Sequence, residues 1–334
     1  MTVLVTGGSG LVGSHVIEAL RSRGEPVRAL VRPASRATVE RLGAVAVPGD
    51  VTDGAAWRLA ARGVRAVVHA AALVQRRATW ERYVAVNVDA TRHAAKAARA
   101  AGAQLVHISS VAVYGGSGAY PRVREPRAEG YRFQPIADHD FYARTKRMAE
   151  AVVGDAAADG SLGAVALRPN VIYGERDRQF TPRVVRLVRL GFVPRIGPGT
   201  NYLSCVYAGN VAAAVLAALD APAAGFRAYN VTSDAPPPLT QRDFLAAFAE
   251  ELGTRLRAIP IPVGLGHLIM GLWLPRRLAR AAVSFVTGDN PYVDERARAE
   301  LGWQPPLATR DAIHRTARWF AQNEKPGRSR PGHR

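Results

Sequence analysis

The chain has 334 residues, 48% of them apolar, enough for a sizeable core in one large domain or two closely joined ones. Its formal net charge is +18, but only Lys96, Lys146 and Lys325 are lysines, and the 42 arginines that complete the 45 basic residues are scattered rather than gathered on one helix, so no nucleic-acid partner is expected. The lone Cys205 excludes an intramolecular disulfide, and the opening Met1-Thr2-Val3-Leu4-Val5 lacks the basic and apolar regions of a secretory signal, so a cytoplasmic location is expected.

Short apolar runs alternate with alanine-rich helical patterns through the first half. Strands are predicted at Thr2–Thr6, Val27–Val31, Ala44–Val47, Ala66–His69, Gln104–Ile108 and Ala164–Leu167, with helices Val12–Arg23, Trp80–Ala101 and Tyr142–Ala158 among them. Strands separated by helices imply right-handed crossovers, hence an α/β fold with a doubly wound parallel sheet. The first strand runs into Thr6-Gly7-Gly8-Ser9-Gly10-Leu11-Val12-Gly13. At this spacing Gly7 permits a tight turn, Gly10 lets backbone approach a pyrophosphate, and Gly13 lets the helix pack closely on the strand. The amides opening the helix, at Leu11 and Val12, then face the anion, and a strand before and a helix after are the context in which the pattern marks a dinucleotide site. The second strand ends at Arg32, where an acidic residue would hold a ribose hydroxyl; an arginine there, aided by Arg36, suits a 2′-phosphate. NADP is therefore favoured, with NAD the alternative. Stacking of Arg32 on adenine is the blander role.

The second half loses the alternation. It contains proline-rich turns, helices near Asp243–Leu252 and Asp311–Asn323, and one strand, Ala228–Val231, that can return to the sheet. The expected division is 1–168 with 205–232 as the dinucleotide-binding domain, 169–204 with 233–323 as a smaller substrate lobe, and 324–334 as a disordered basic tail. The apolar run 259–274 is too short and too interrupted by Pro260, Pro262, Gly264 and Gly266 to span a bilayer. It is expected to be a buried or substrate-facing helix, with peripheral membrane contact as the lesser alternative.

Tyr142 and Lys146 are four apart and share a helix face. A phenol ordinarily titrates near 10, and a neighbouring ammonium favours the phenolate. The strand Gln104–Ile108 ends in Ser109 and Ser110, whose hydroxyls are expected to face the crevice at the carboxyl edge of the sheet. Ser110, Tyr142 and Lys146 are thus the candidate catalytic residues. No metal site is expected.

Taken together these residues resemble the extended short-chain dehydrogenase/reductase family, over roughly 1–320. The motifs are Thr6–Gly13, Asp50 in Gly49-Asp50-Val51-Thr52-Asp53, His69-Ala70-Ala71-Ala72, Asn87-Val88-Asp89-Ala90-Thr91 with Ala90 in place of glycine, Ser109–Gly115, Tyr142–Lys146, and Arg168-Pro169-Asn170-Val171-Ile172-Tyr173-Gly174. The resemblance implies a Rossmann fold. It places Asp50 and Val51 at adenine, Ala70, Ala71 and Ser109 along the cofactor, and Pro169 and Val171 by the nicotinamide. Tyr142 would exchange a proton with the substrate oxygen, Lys146 would lower the Tyr142 pKa and bind the ribose, and Ser110 would polarise the carbonyl. Asn87 would either support a proton relay or fix a strand end. A homodimer is a further expectation of the family.

Family members acting on nucleotide sugars carry an arginine for the diphosphate where this chain has Leu203, and an asparagine where it has Val171. Leucine cannot pair with a diphosphate, although Arg195 or Arg183 can compensate. The segments Asn201–Val211, Tyr229–Thr232 and 259–274 resemble the 3β-hydroxysteroid dehydrogenase-like branch. The expected activity is hydride transfer between NAD(P) and the hydroxyl or ketone of a small hydrophobic substrate, sterol-like or β-keto acyl. The alternatives are a nucleotide-sugar epimerase or dehydratase and a non-catalytic NADP-sensing protein.

Overall fold

The computed structural model describes residues 1–74, 78–116, 125–221, 224–273 and 276–323, with backbone alone at 273 and 276–278; the expected tail 324–334 and Leu274 lie outside these residues. The first half runs β1 (Thr2–Thr6), α1 (Leu11–Ser22), β2 (Val27–Val31), α2 (Arg36–Arg41), β3 (Val45–Pro48), α3 (Gly54–Ala60), β4 (Val64–His69), α4 (Trp80–Tyr83), α5 (Ala90–Ala100), β5 (Gln104–Ile108), α6 (Phe141–Ala156) and β6 (Ala164–Pro169). The second half runs β7 (Val171–Tyr173), α7 (Thr181–Arg189), β8 (Phe192–Ile196), β9 (Cys205–Tyr207), α8 (Ala208–Asp220), β10 (Phe226–Val231), α9 (Gln241–Glu251), β11 (Arg257–Ile261), α10 (Val263–Trp273), α11 (Arg276–Thr287), α12 (Glu295–Leu301) and α13 (Thr309–Asn323).

Seven parallel strands form the main sheet in the order β3-β2-β1-β4-β5-β6-β10. Side chains alternate across it, so each strand feeds two cores. Val3, Val5, Val68 and Val106 meet Val16, Ile17, Val211 and Val215 of α1 and α8 on one face. Leu4, Val67 and Leu105 meet Trp57, Ala94, Ala98 and Val153 of α3, α5 and α6 on the other. Both faces are covered, which explains why the strands read as near-continuous apolar runs. Strand order reverses between β1 and β4, and the crevice at their carboxyl ends is where such sheets bind ligands.

The predicted helix Trp80–Ala101 forms as an unbroken helical run to Ala100, with a π-helical turn at Val84–Asp89 that contains the buried Asn87. The lobe departs from the expected division in two places. Cys205–Tyr207 pairs with β7 rather than joining the main sheet. Ala297 and Trp303, in and just after α12, pack into the sheet core beside α1 and α8, so the chain returns to the sheet after 233. The apolar run 259–274 also differs from expectation. Its proline-containing start is β11, paired in parallel with β8, and its remainder is α10, which leaves Leu265, Leu268 and Leu272 exposed. No helix of the described residues is long and apolar enough to cross a membrane.

Candidate active site

The glycine turn follows β1. Gly7 has φ 68°, and a Cβ there would lie 2.7 Å from the Ala71 amide nitrogen. A Cβ on Gly13 would lie 2.6 Å from the Gly7 carbonyl carbon, so only glycine lets α1 sit this close to the turn. Gly10 N donates to Gly7 O at 2.8 Å and N-caps α1 without any side-chain cap, which leaves the Leu11 and Val12 end of the helix open to an anion. Thr6 joins the two strand ends: its hydroxyl pairs with His69 Nδ1 at 2.8 Å and accepts from Ala71 N at 3.3 Å. This cradle, closed to any Cβ and lined by unpaired helix amides, fits a dinucleotide pyrophosphate.

Arg32 is exposed just beyond β2. Beside it Ser9 of the glycine turn donates to Ser35 at 3.2 Å, a hydroxyl pair that the sequence reading missed because neither serine stands in a motif. Arg36 does not stand free for a ligand; it pairs with Glu40 at 2.8 Å. Burial raises the Asp50 pKa, but the Thr52 amide and hydroxyl, with Arg82 and Arg32, outweigh it and keep the carboxylate ionised. Val51 is half-buried, and its carbonyl accepts from the Trp57 indole.

Ser110 N-caps a short turn after β5, where its Oγ accepts from Ala112 N at 3.2 Å, and it is near enough to the Tyr142 phenol to oppose the rise of its pKa. Helix α6 starts at an Asp140 cap that accepts from Ala143 N, which sets Tyr142 in the first turn and Lys146 one turn on. Burial pushes the Tyr142 phenol above its ordinary value; Ser110 opposes this, while Asp140 and Tyr83 add to it. The expected depression by Lys146 is therefore not what this geometry produces. The Lys146 ammonium donates instead to the Ile108 carbonyl at 2.6 Å, and burial brings it down to about 8 against the opposing charge of Glu150. Burial and the Lys146 charge lower His69 to about 3, and the same causes keep His107 neutral, so two uncharged imidazoles stand behind the lysine.

Ser109 corrects a second expectation. Its hydroxyl turns inward and donates to Glu150 Oε2 at 2.6 Å, away from the crevice. Glu150 follows Lys146 by one turn and is also gripped by Arg168, whose Nε lies 3.1 Å from both carboxylate oxygens. Arg168 Nη1 in turn donates to the Tyr114 hydroxyl at 2.9 Å. Motif matching missed Glu150; the i, i+4 spacing from Lys146 was the available signal. Asn87 accepts from Leu73 N at 2.7 Å and donates to Leu73 O and Thr145 Oγ1, so its amide fastens the segment after β4 to α6. Pro169 is buried at the end of β6 and Val171 is half-buried in β7. Val171, Leu203, Phe180 and Phe285 pack on the same apolar cluster, so Leu203 leaves no cation at its position. A cleft of about 280 Å³ between the ends of β9 and β10 and residues 290–295 includes Tyr202, Leu203 and Asp294 but neither Ser110 nor Tyr142.

The model of the NAD dependent epimerase/dehydratase family matches residues 3–232. A 2-alkyl-3-oxoalkanoate reductase of Stenotrophomonas maltophilia (strain K279a) is 30% identical over 332 residues, covering 94% of this chain and 98% of that protein. A 4-hydroxy-2-methyl-3-oxo-4-farnesyl-3,4-dihydroquinoline-1-oxide ketoreductase of Stigmatella aurantiaca is 32% identical over 315 residues, covering 91% and 92%. Among solved structures, the UDP-glucose 4-epimerase of Thermus thermophilus in complex with NAD superposes with a TM-score of 0.70 at 26% identity, covering 97% of this chain and all of that one. The chain belongs to the NAD-dependent epimerase/dehydratase family, the extended short-chain dehydrogenases/reductases.

Proposed function

We propose that the protein is an NADP(H)-dependent ketone reductase or alcohol dehydrogenase for a hydrophobic substrate. The observation that carries this reading is that Ser110, capping the turn after β5, stands near the Tyr142 phenol in the first turn of α6, with Lys146 one turn further along. The glycine cradle with Leu11 and Val12 would hold the pyrophosphate, Asp50 and Val51 the adenosine, and Arg32 with Ser9 and Ser35 a 2′-phosphate. When bound, the nicotinamide supplies or accepts the hydride.

Ser110 donates a hydrogen bond to the substrate carbonyl oxygen and so draws negative charge toward it. Tyr142 delivers the proton that completes the alcohol; its raised pKa keeps it protonated and suits it to act as the acid in the reducing direction. Lys146 stands one turn along α6 from the phenol; burial lowers its pKa to about 8, and the charge of Glu150 opposes that loss, so the ammonium is retained at neutral pH. The apolar surroundings of Val171 and Leu203 support an apolar substrate, and the two full-length reductase relatives carry ketone-reducing names.

The test is NADPH oxidation followed by absorbance with a panel of steroid ketones, β-keto acids and aldehydes. Turnover of at least one class, faster with NADPH than with NADH, is expected; no turnover in either direction on any class would sink the proposal. One observation favours the epimerase reading: Arg195 Nε is buried without a hydrogen-bond partner among the described residues and can receive an anion. Calorimetry with UDP separates the two, since tight binding is expected only for a nucleotide-sugar enzyme.

A further inference from the structure

Residues 178–200 and 252–288 contain ten arginines and no aspartate or glutamate. The fold brings these two stretches together: β8 pairs with β11, and α10 packs on β8 so closely that a Cβ on Gly266 would lie 2.7 Å from Ile196 Cγ2. With Gly266 turned inward, the other side of α10 faces solvent. Leu265, Leu268 and Leu272, at i, i+3 and i+7, are 47%, 65% and 77% exposed, and Ile259 of β11 is 51% exposed. Arg255 and Arg257, at the start of the strand that carries Ile259, and Arg280 of α11, the helix packed against α10, are exposed and meet no carboxylate among the described residues. The acidic side chains that border the two stretches are engaged elsewhere: Asp177 accepts from the amides of Gln179, Phe180 and Thr181, Asp289 from the Tyr202 amide, and Glu251 pairs with Arg318 of α13.

We propose that this face of the lobe docks on an anionic lipid bilayer. Leucines on one side of a helix, rimmed by arginines, satisfy both layers of such a surface: the apolar side chains enter the acyl boundary and the guanidinium groups meet headgroup phosphates. Other occupants fit less well. A second copy placed face to face would set arginine against arginine, with no acidic residue to pair. A nucleic acid would use the arginines and leave the leucines in water. At eleven residues α10 is about 16 Å long, against a hydrocarbon core of about 30 Å, so it lies on a bilayer rather than crossing it.

The surface rests on its own residues and not on the oxidoreductase reading, so turnover and docking are decided separately. The experiment is flotation of the full chain with vesicles of phosphatidylglycerol and phosphatidylcholine, and with phosphatidylcholine alone. Binding to the anionic vesicles is expected, at least about tenfold weaker on phosphatidylcholine and weakened by high salt. Leu268→Asp with Leu272→Asp, and separately Arg255→Glu with Arg257→Glu, should each reduce it by about tenfold or more. These side chains are exposed, so thermal midpoints should not move; if the aspartate pair unfolds, the arginine pair decides. Absence of flotation on anionic vesicles, or equal flotation of both variants, would overturn the proposal. So would a wild-type dimer, seen by sedimentation, that the leucine variant splits, because the face would then be an interface between copies.

Discussion

At the carboxyl edge of the sheet, Lys146, Glu150 and Arg168 are all buried, and each meets a partner within hydrogen-bonding distance. On the face formed by β11, α10 and α11 the opposite holds, for Leu265, Leu268 and Leu272 and the side chains of Arg255, Arg257 and Arg280 stand in solvent, the arginines with no carboxylate beside them among the described residues. The difference follows from what surrounds each charge. In the sheet interior a charge without a partner is expensive, so every cation is matched and its geometry is fixed. On the lobe, water solvates the guanidinium groups at little cost, and nothing internal holds them to a partner. Buried charges serve position; exposed ones are available to something outside the molecule.

That contrast can be broken at either end. Tyr142→Phe removes the proton donor and should lower kcat by about 10³-fold while leaving cofactor binding intact, measured by NADPH oxidation alongside cofactor fluorescence titration. Glu150→Ala strands Arg168 in the interior and should cost about 3–5 kcal/mol in denaturant melts. Because Glu150 supports the Lys146 charge, the gentler Glu150→Gln should also move the alkaline limb of the pH–activity profile below its starting point near 8. A variant profile unchanged on that limb would disconnect Glu150 from Lys146.

Glu175 ties the sheet domain to the lobe, meeting His15 of α1 at 3.2 Å, the Tyr207 hydroxyl at 2.8 Å and Arg315 of α13. Burial raises its pKa, but these partners prevail and hold it at about 2, against an ordinary value of 4.5. A carboxyl depressed on folding adds stability that is fully present above about 4.5 and is lost as pH falls through 4.5 toward 2, on the order of 2–3 kcal/mol in all. Glu175→Gln should flatten that acid limb in a plot of Tm against pH. Arg32→Glu should shift cofactor preference from NADPH toward NADH by about 10–100-fold, read as a ratio of kcat/KM. The smallest effect belongs to the exposed lobe: Leu268→Ser with Leu272→Ser should change stability by less than about 0.5 kcal/mol, since neither side chain is packed. A larger loss would mean that the face is buried in solution.

Much of the sheet was legible from the chain. Thr2–Thr6, Val27–Val31 and Gln104–Ile108 stand at the expected bounds because a strand covered on both faces reads as an unbroken apolar run. Gly7, Gly10 and Gly13 were readable because only glycine tolerates that turn, so local stereochemistry writes the site into adjacent residues. Helix Trp80–Ala101 was read at nearly its observed bounds, but its π-turn at Val84–Asp89 was not legible, because such a turn inserts one residue without changing the composition. The run 259–274 was misread because an apolar helix has the same sequence whether it faces a core or the solvent.

The sequence alone determined the glycine cradle, the helix spacing of Tyr142 and Lys146, and the absence of a cation at Leu203, all of which depend on residues near one another in the chain. Tertiary structure decided where the charges go. It turned Ser109 inward to Glu150, set Lys146 against Ile108 rather than the phenol, and joined two acid-free stretches into one exposed face. Those outcomes depend on the dielectric and the partners around each group. Both are set by strands and helices tens of residues away, and no local pattern encodes them.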